Sequence, residues 1–178
     1  MKKLIAAGIL GGLIVFIWHA VSWMALPWHQ PTMHNFKDIK VVSAVIEQNA
    51  TESGIYFFPA MHKDGSELTA EEKKGPMVFS AVRLKGMSSM KQEMGVSLLG
   101  SIIAAFLVAC LVSLSSGLGY FGRVGFIIIF GIVAGLIAAE PNWNWFGFDL
   151  KYSLVLFADI VISWFLAGLV IAGICCRK

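Results

Sequence analysis

Apolar residues gather into four long runs, at 4–26, 96–114, 120–139 and 152–174, and thin out between the first and the second. Each run is close to or above the roughly twenty helical residues needed to cross a hydrocarbon core about 30 Å thick. The pattern predicts an all-α membrane fold, a bundle of four transmembrane helices with a small α+β unit inserted after the first. The chain then divides into a first span over 1–26, an interspan unit over 27–95, and three further spans over 96–178.

Within the interspan unit the periodicity changes. Ile39, Val42, Val45 and Ile46 recur at helical spacing and predict a helix over 36–50, with Asp38 in its first turn to suit the positive end of the helix dipole. Ser53-Gly54 breaks that helix. Residues 55–58, ended by Pro59, and 77–84 are rich in β-branched and aromatic side chains and predict two strands. Between them His62-Lys63-Asp64-Gly65 signals a turn, and 68–74, after Ser66, predicts a short polar helix stopped by Gly75-Pro76. A helix packed on a two-stranded hairpin has too little core to stand alone, so the unit is expected to lean on the bilayer surface, the helix ends or a partner protein.

Composition narrows the class. Of 178 residues 57% are hydrophobic and 14% charged, against roughly 25% charged in soluble domains. The net charge is +3 with no basic stripe, which argues against nucleic acid as a partner. Lys2, Lys3, Arg123, Arg177 and Lys178 fall on one side of the four spans, and the short 140–151 loop opposite carries only Lys151. The positive-inside rule then places both termini in the cytoplasm of a bacterial cell, in its inner membrane, and exports the 27–95 unit. Trp23, Trp28, Trp143 and Trp145 fall where the outer interface would lie. Lys2-Lys3 before an apolar core, with Ala20-Val21-Ser22 beyond, is also the form of a secretory signal. The length of the run and its Trp18, His19 and Trp23 favour a retained span, and no cysteine follows it to make a lipoprotein. Cys110, Cys175 and Cys176 cannot bridge distant points of the exported unit, and the last two stand at a cytoplasmic edge where palmitoylation is feasible.

Asp159 is the sharpest chemical signal, because a carboxylate inside a transmembrane helix is costly and marks a functional site by default. It lies about seven residues, or roughly 10 Å, from the outer end of the fourth span, and His19 lies equally deep in the first. Equal depth suggests a His19–Asp159 pair, with Ser22 and Ser163 as polar neighbours and Glu140, beside Pro141 at the end of the third span, as a further carboxylate of the same outer pocket. Such a pair could accept a proton or hold a ligand; more commonly it fixes helix order, since buried polar groups must find partners in either case. Met24, Met33, Met61, Met77, Met87, Met90 and Met94 all lie in or beside the exported unit. Met33-His34 and Met61-His62 are adjacent pairs, His29 is near the first, and Met87, Met90 and Met94 are spaced to share a helical face. Thioether and imidazole ligands suit Cu(I), but the same spacing serves packing, so neither a metal site nor a cofactor is assigned. Gly8/Gly12, Gly131/Gly135 and Gly168/Ala172 are small residues four apart, which lets helices approach closely in lipid. Signatures of phosphate loops, serine hydrolases, zincins and c-type haem are absent from the sequence.

Trp18-His19-Ala20-Val21-Ser22-Trp23-Met24-Ala25-Leu26-Pro27-Trp28-His29, followed by Phe36-Lys37-Asp38 and Gly54-Ile55-Tyr56-Phe57-Phe58-Pro59, resembles a group of small uncharacterised bacterial four-helix inner-membrane proteins. The likeness covers mainly the first span and the start of the exported unit. It implies the same order of spans and brings no activity or site residues with it. Pro27 would end the first helix and two interfacial indoles would fix the exit of the chain, aiming the exported unit at something it docks on. The expectation is a non-catalytic accessory or scaffold subunit, with the lipid bilayer and other membrane subunits as partners. A small transporter or proton-linked channel component using His19 and Asp159 comes second, and a copper-handling protein third.

Overall fold

A computed structural model describes residues 1–59, 62, 64–115 and 117–176. Four long helices carry the architecture: α1 (Lys2–Ala25), α3 (Met90–Leu114), α4 (Tyr120–Asn144) and α5 (Leu150–Cys176), and all four are long and apolar enough to cross a membrane. Between α1 and α3 lie α2 (Ile39–Asn49), β1 (Gly54–Phe58) and β2 (Val78–Val82). Helix α1 packs along both α3 and α5, and α4 packs chiefly along α5. The core therefore follows α1 and α5, through Ala7, Val15, Ala105, Val108, Ile127 and Ile171. The outward faces are apolar too, Ile137 being 70% exposed, which suits lipid and not water as the surrounding solvent.

The small residues set how closely the helices pack. An added Cβ on Gly8 would meet Phe106 of α3, and one on Gly12 would lie 2.7 Å from the Ile102 backbone nitrogen. Gly131 and Gly135 receive Trp164 and Phe157 of α5, and Gly168 faces Ile127 of α4. These glycines join the chain's own helices to one another. At the terminal end of the bundle, the Arg123 guanidinium donates to the carbonyls of Leu118 (3.0 Å) and Cys175 (2.8 Å), a cation on the negative end of α5. Arg177 and Lys178 lie outside the described residues, and of Cys176 only the backbone is described.

Helix ends differ from the apolar runs because a helix does not stop where hydropathy does. Helix α3 begins at Met90, six residues before the run, with the Ser89 side chain accepting from the Gln92 N–H. Met87 precedes this cap, so it does not share a helical face with Met90 and Met94. Helix α4 continues through Pro141 to Asn144, where the run suggested an end at 139. The proline removes one N–H in the last turn, and Asn142 donates its side chain to the Ala138 carbonyl at 2.8 Å.

In the interspan unit Asp38 is the N-cap of α2, accepting from the Val41 N–H at 3.0 Å, and so stands one position before the first turn. Strands β1 and β2 pair antiparallel with Tyr56 opposite Ser80. The short helix expected over 68–74 is a single 3₁₀ turn, Glu72–Lys74, which ends where expected but starts late, after Thr69 and Glu72 exchange side-chain and backbone hydrogen bonds. Helix α2 is not closed down on the hairpin. It borders an open groove of about 410 Å³ with Val82, Arg83 and Leu84, and Ile39 is 66% exposed. The hairpin leans on the helix ends instead: Phe79 stacks on Phe146 of the α4–α5 turn at 4.2 Å, with Phe148 edge-on at 6.4 Å.

Before this hairpin's second strand, His62 bonds Glu72 at 2.9 Å, and the Thr69 N–H and hydroxyl both donate to Glu72 at 2.7 Å. The His62 bond first, then the two from Thr69, hold the Glu72 carboxyl down from 4.5 to about 2. A carboxylate depressed in the folded state stabilises its turn fully above its ordinary value, and that contribution is lost as pH falls through the folded value. The turn is therefore expected to hold at pH 5 and loosen between about 4.5 and about 2. Carboxyl carbon shifts of Glu72 through an acid titration measure this, and His62→Ala should move its midpoint upward.

Candidate functional site at the exit from the first helix

Helix α1 meets α5 along the face that carries Gly11, Val15, Trp18 and Ser22, residues three and four apart, with Gly11 against Ile171 and both Val15 and Ser22 buried. Asp159 of α5, 2% exposed, stands opposite this face. The Trp18 indole N–H donates to Asp159 Oδ1 at 2.7 Å. The second oxygen takes its partner from outside the helix. After Leu26-Pro27 the chain folds back, placing His29 Nε2 3.2 Å from Asp159 Oδ2 and 3.0 Å from Ser22 Oγ. Trp28 donates its indole N–H to the same Ser22 oxygen at 2.9 Å.

Aromatic contacts close the cluster. Trp23 stacks on the His29 ring at 3.9 Å and 13°, Trp28 meets that ring edge-on at 5.9 Å, and Trp18 meets Trp28 edge-on at 6.2 Å. Behind His29 a 3₁₀ turn, Gln30–Thr32, directs the Thr32 hydroxyl to the His29 carbonyl at 2.7 Å. With a carboxylate oxygen facing it, Nε2 is the ring nitrogen placed to donate. Nδ1 is buried and has no partner among the described residues.

The His19–Asp159 pair expected from depth is not formed. Trp18 and His29 take the two Asp159 oxygens, and His19, one residue and about 100° further round α1, turns toward α3. There it lines a cavity of about 490 Å³ that also reaches Asp159, with Trp23, Met24, Met90 and Glu93 among the other walls. Ser22 belongs to the cluster. Ser163, buried one turn from Asp159, donates to the Ile160 carbonyl at 2.8 Å and takes no part. Glu140 lines a separate groove of about 290 Å³ with Trp143 and Ser153. It is not part of the Asp159 cavity, whose walls come from α1, α3 and α5.

The methionine–histidine pairs do not assemble either. His29 is committed to Asp159 and Ser22, His62 to Ser66 and Glu72, and Met61 lies outside the described residues. Met33, Met87 and His34 are exposed. Among the described residues no group of three His, Cys, Asp or Glu could hold a metal ion. What comes together is a different set, Met24, Met90 and Met94 with His19, around the one cavity.

Trp18 and His29, the partners of Asp159, were not marked out by sequence as site residues. The available signals were Trp18 and Ser22 four apart on one helix face, and a histidine two residues beyond a helix-ending proline. These features define a class, a mostly helical chain with four candidate membrane spans, of the multi-pass kind, whose first span is tied to its last by a buried carboxylate. Compared with known protein families, curated proteins and solved structures, the chain matches none.

Proposed function

We propose that the protein is a non-catalytic accessory or scaffold subunit of a bacterial inner-membrane complex, with both termini cytoplasmic and the 27–95 unit exported. The observation that carries this reading is the commitment of Asp159. One oxygen holds α1 through Trp18 and the other holds the exit segment through His29, so the buried carboxylate acts as a fastening. The Phe79–Phe146 stack fixes the hairpin at a second point. Between these two tethers the apolar side of α2, Ile39 and Val45, lies exposed, which favours docking on the exported part of another membrane subunit.

Extraction in mild detergent with a C-terminal tag tests the reading. A partner at fixed stoichiometry that is lost from Ile39→Glu/Val45→Glu, while the bundle keeps its thermal midpoint, is the expected result. A chain that leaves the membrane alone, or a partner indifferent to that variant, refutes it.

A second reading, a proton-linked transport component, draws on the cavity that His19, Glu93 and Asp159 share. It requires Asp159→Asn to abolish an activity without loss of assembly.

A further inference from the structure

The odd concentration of methionine near the loop end of the bundle acquires a geometry in the fold. Met24 extends from the last turn of α1, and Met90 and Met94, one turn apart, from the first turns of α3. All three line the cavity of about 490 Å³ that His19 also lines. We propose that this cavity is a Cu(I) site, with the thioethers of Met24, Met90 and Met94 and the imidazole of His19 as ligands.

The donor set selects the ion. Thioethers are soft and uncharged, so they favour monovalent copper and offer little to Zn²⁺, Mg²⁺ or Ca²⁺, which seek thiolates, several imidazoles or oxygen. The carboxylates nearby are engaged elsewhere: Asp159 holds Trp18 and His29, and Glu93 accepts from Arg83 at 2.9 Å. They remain a source of negative potential for a single positive charge without adding hard ligands. His19 forms no hydrogen bond among the described residues, which leaves a ring nitrogen available to a metal.

Methionines that merely fill a core are buried. Met24 and Met90, both lining the cavity, are 78% and 74% exposed, so neither is locked in a core, and their unbranched side chains can swing onto an ion. The rigid parts of the site are the α1–α3 contact, set by Gly8 and Gly12, and the Asp159 cluster beneath. Binding involves no electron transfer, since copper enters and leaves as Cu(I).

The test uses the full-length chain in detergent micelles, without oxygen, titrated with Cu(I) against the chromophoric chelator bicinchoninate. The expected result is one copper withdrawn from the chelator per chain, with sulfur and one nitrogen in its X-ray absorption shell. The volume-conserving Met90→Leu/Met94→Leu variant should keep its thermal midpoint and weaken binding at least about tenfold, the low end of what losing even an outer-shell group does to metal affinity. His19→Leu should remove the nitrogen from the absorption shell, and Met33→Leu should change nothing. Failure to withdraw copper, or equal affinity in the wild type and the double leucine variant, overturns the proposal.

Discussion

Asp159→Leu is expected to destabilise the bundle by about 3 kcal/mol, in the range found when one member of a buried pair is removed and its partner stays behind. Leucine fills the space but accepts nothing, leaving the Trp18 N–H buried without an acceptor and His29 Nε2 with Ser22 Oγ alone. The exit segment should loosen with it, because no other bond ties His29 to α5. Asp159→Asn should do less harm. Its carbonyl oxygen can still accept from Trp18, while its NH₂ faces Nε2 and drives the His29 proton to Nδ1, a nitrogen with no partner among the described residues. Unfolding followed by tryptophan emission, to which the cluster contributes three of the six indoles, would rank the variants. Protease cleavage between 26 and 38 would report release of the segment. A leucine variant within about 0.5 kcal/mol of wild type, as for a change that disturbs no buried partner, would mean that the cluster fastens nothing.

Gly12→Val should have the next largest effect, near the upper end of the 1–3 kcal/mol typical of overpacking. A Cβ there meets the backbone of Ile102, and a backbone cannot rotate out of the way as a side chain can. Helix α1 must move off α3, which widens the cavity above and weakens any copper held in it. Gly100→Ala is the matched control: nothing lies within 4 Å of its added carbon, so the change should be neutral or stabilising by up to about 1 kcal/mol through helix propensity. Thermal unfolding of both variants in one detergent gives the comparison. Equal midpoints for the two would show that the α1–α3 contact is not set by that glycine.

The elements that were legible in the sequence are those governed by local physics. Four apolar runs are long enough to span a bilayer, and the helices found over Lys2–Ala25 and Leu150–Cys176 extend only slightly beyond theirs or coincide with them. The hairpin followed from two short β-rich segments with turn residues between. Helix limits at Met90 and Asn144 were less legible, because a Ser89 cap and a tolerated Pro141 decide them and neither is apolar. At Glu72–Lys74 a 3₁₀ turn stands where a helix from 68 was expected.

By itself, then, the sequence determined how much of the chain is built for an apolar solvent, where its four long helices lie, and that Asp159 must have buried partners. Composition and periodicity carry that information residue by residue. Only the tertiary structure decided which partners those are. Depth along a helix is a count, but direction around it depends on which neighbour each face meets, and α1 turns Trp18 and Ser22 toward α5 and His19 toward α3. The return of His29 to Asp159, ten residues before α2 begins, is a long-range contact across 130 positions that no local pattern encodes. The same holds for the meeting of Met24 with Met90 and Met94: side chains far apart in the chain share one cavity because two glycines let α1 lie against α3.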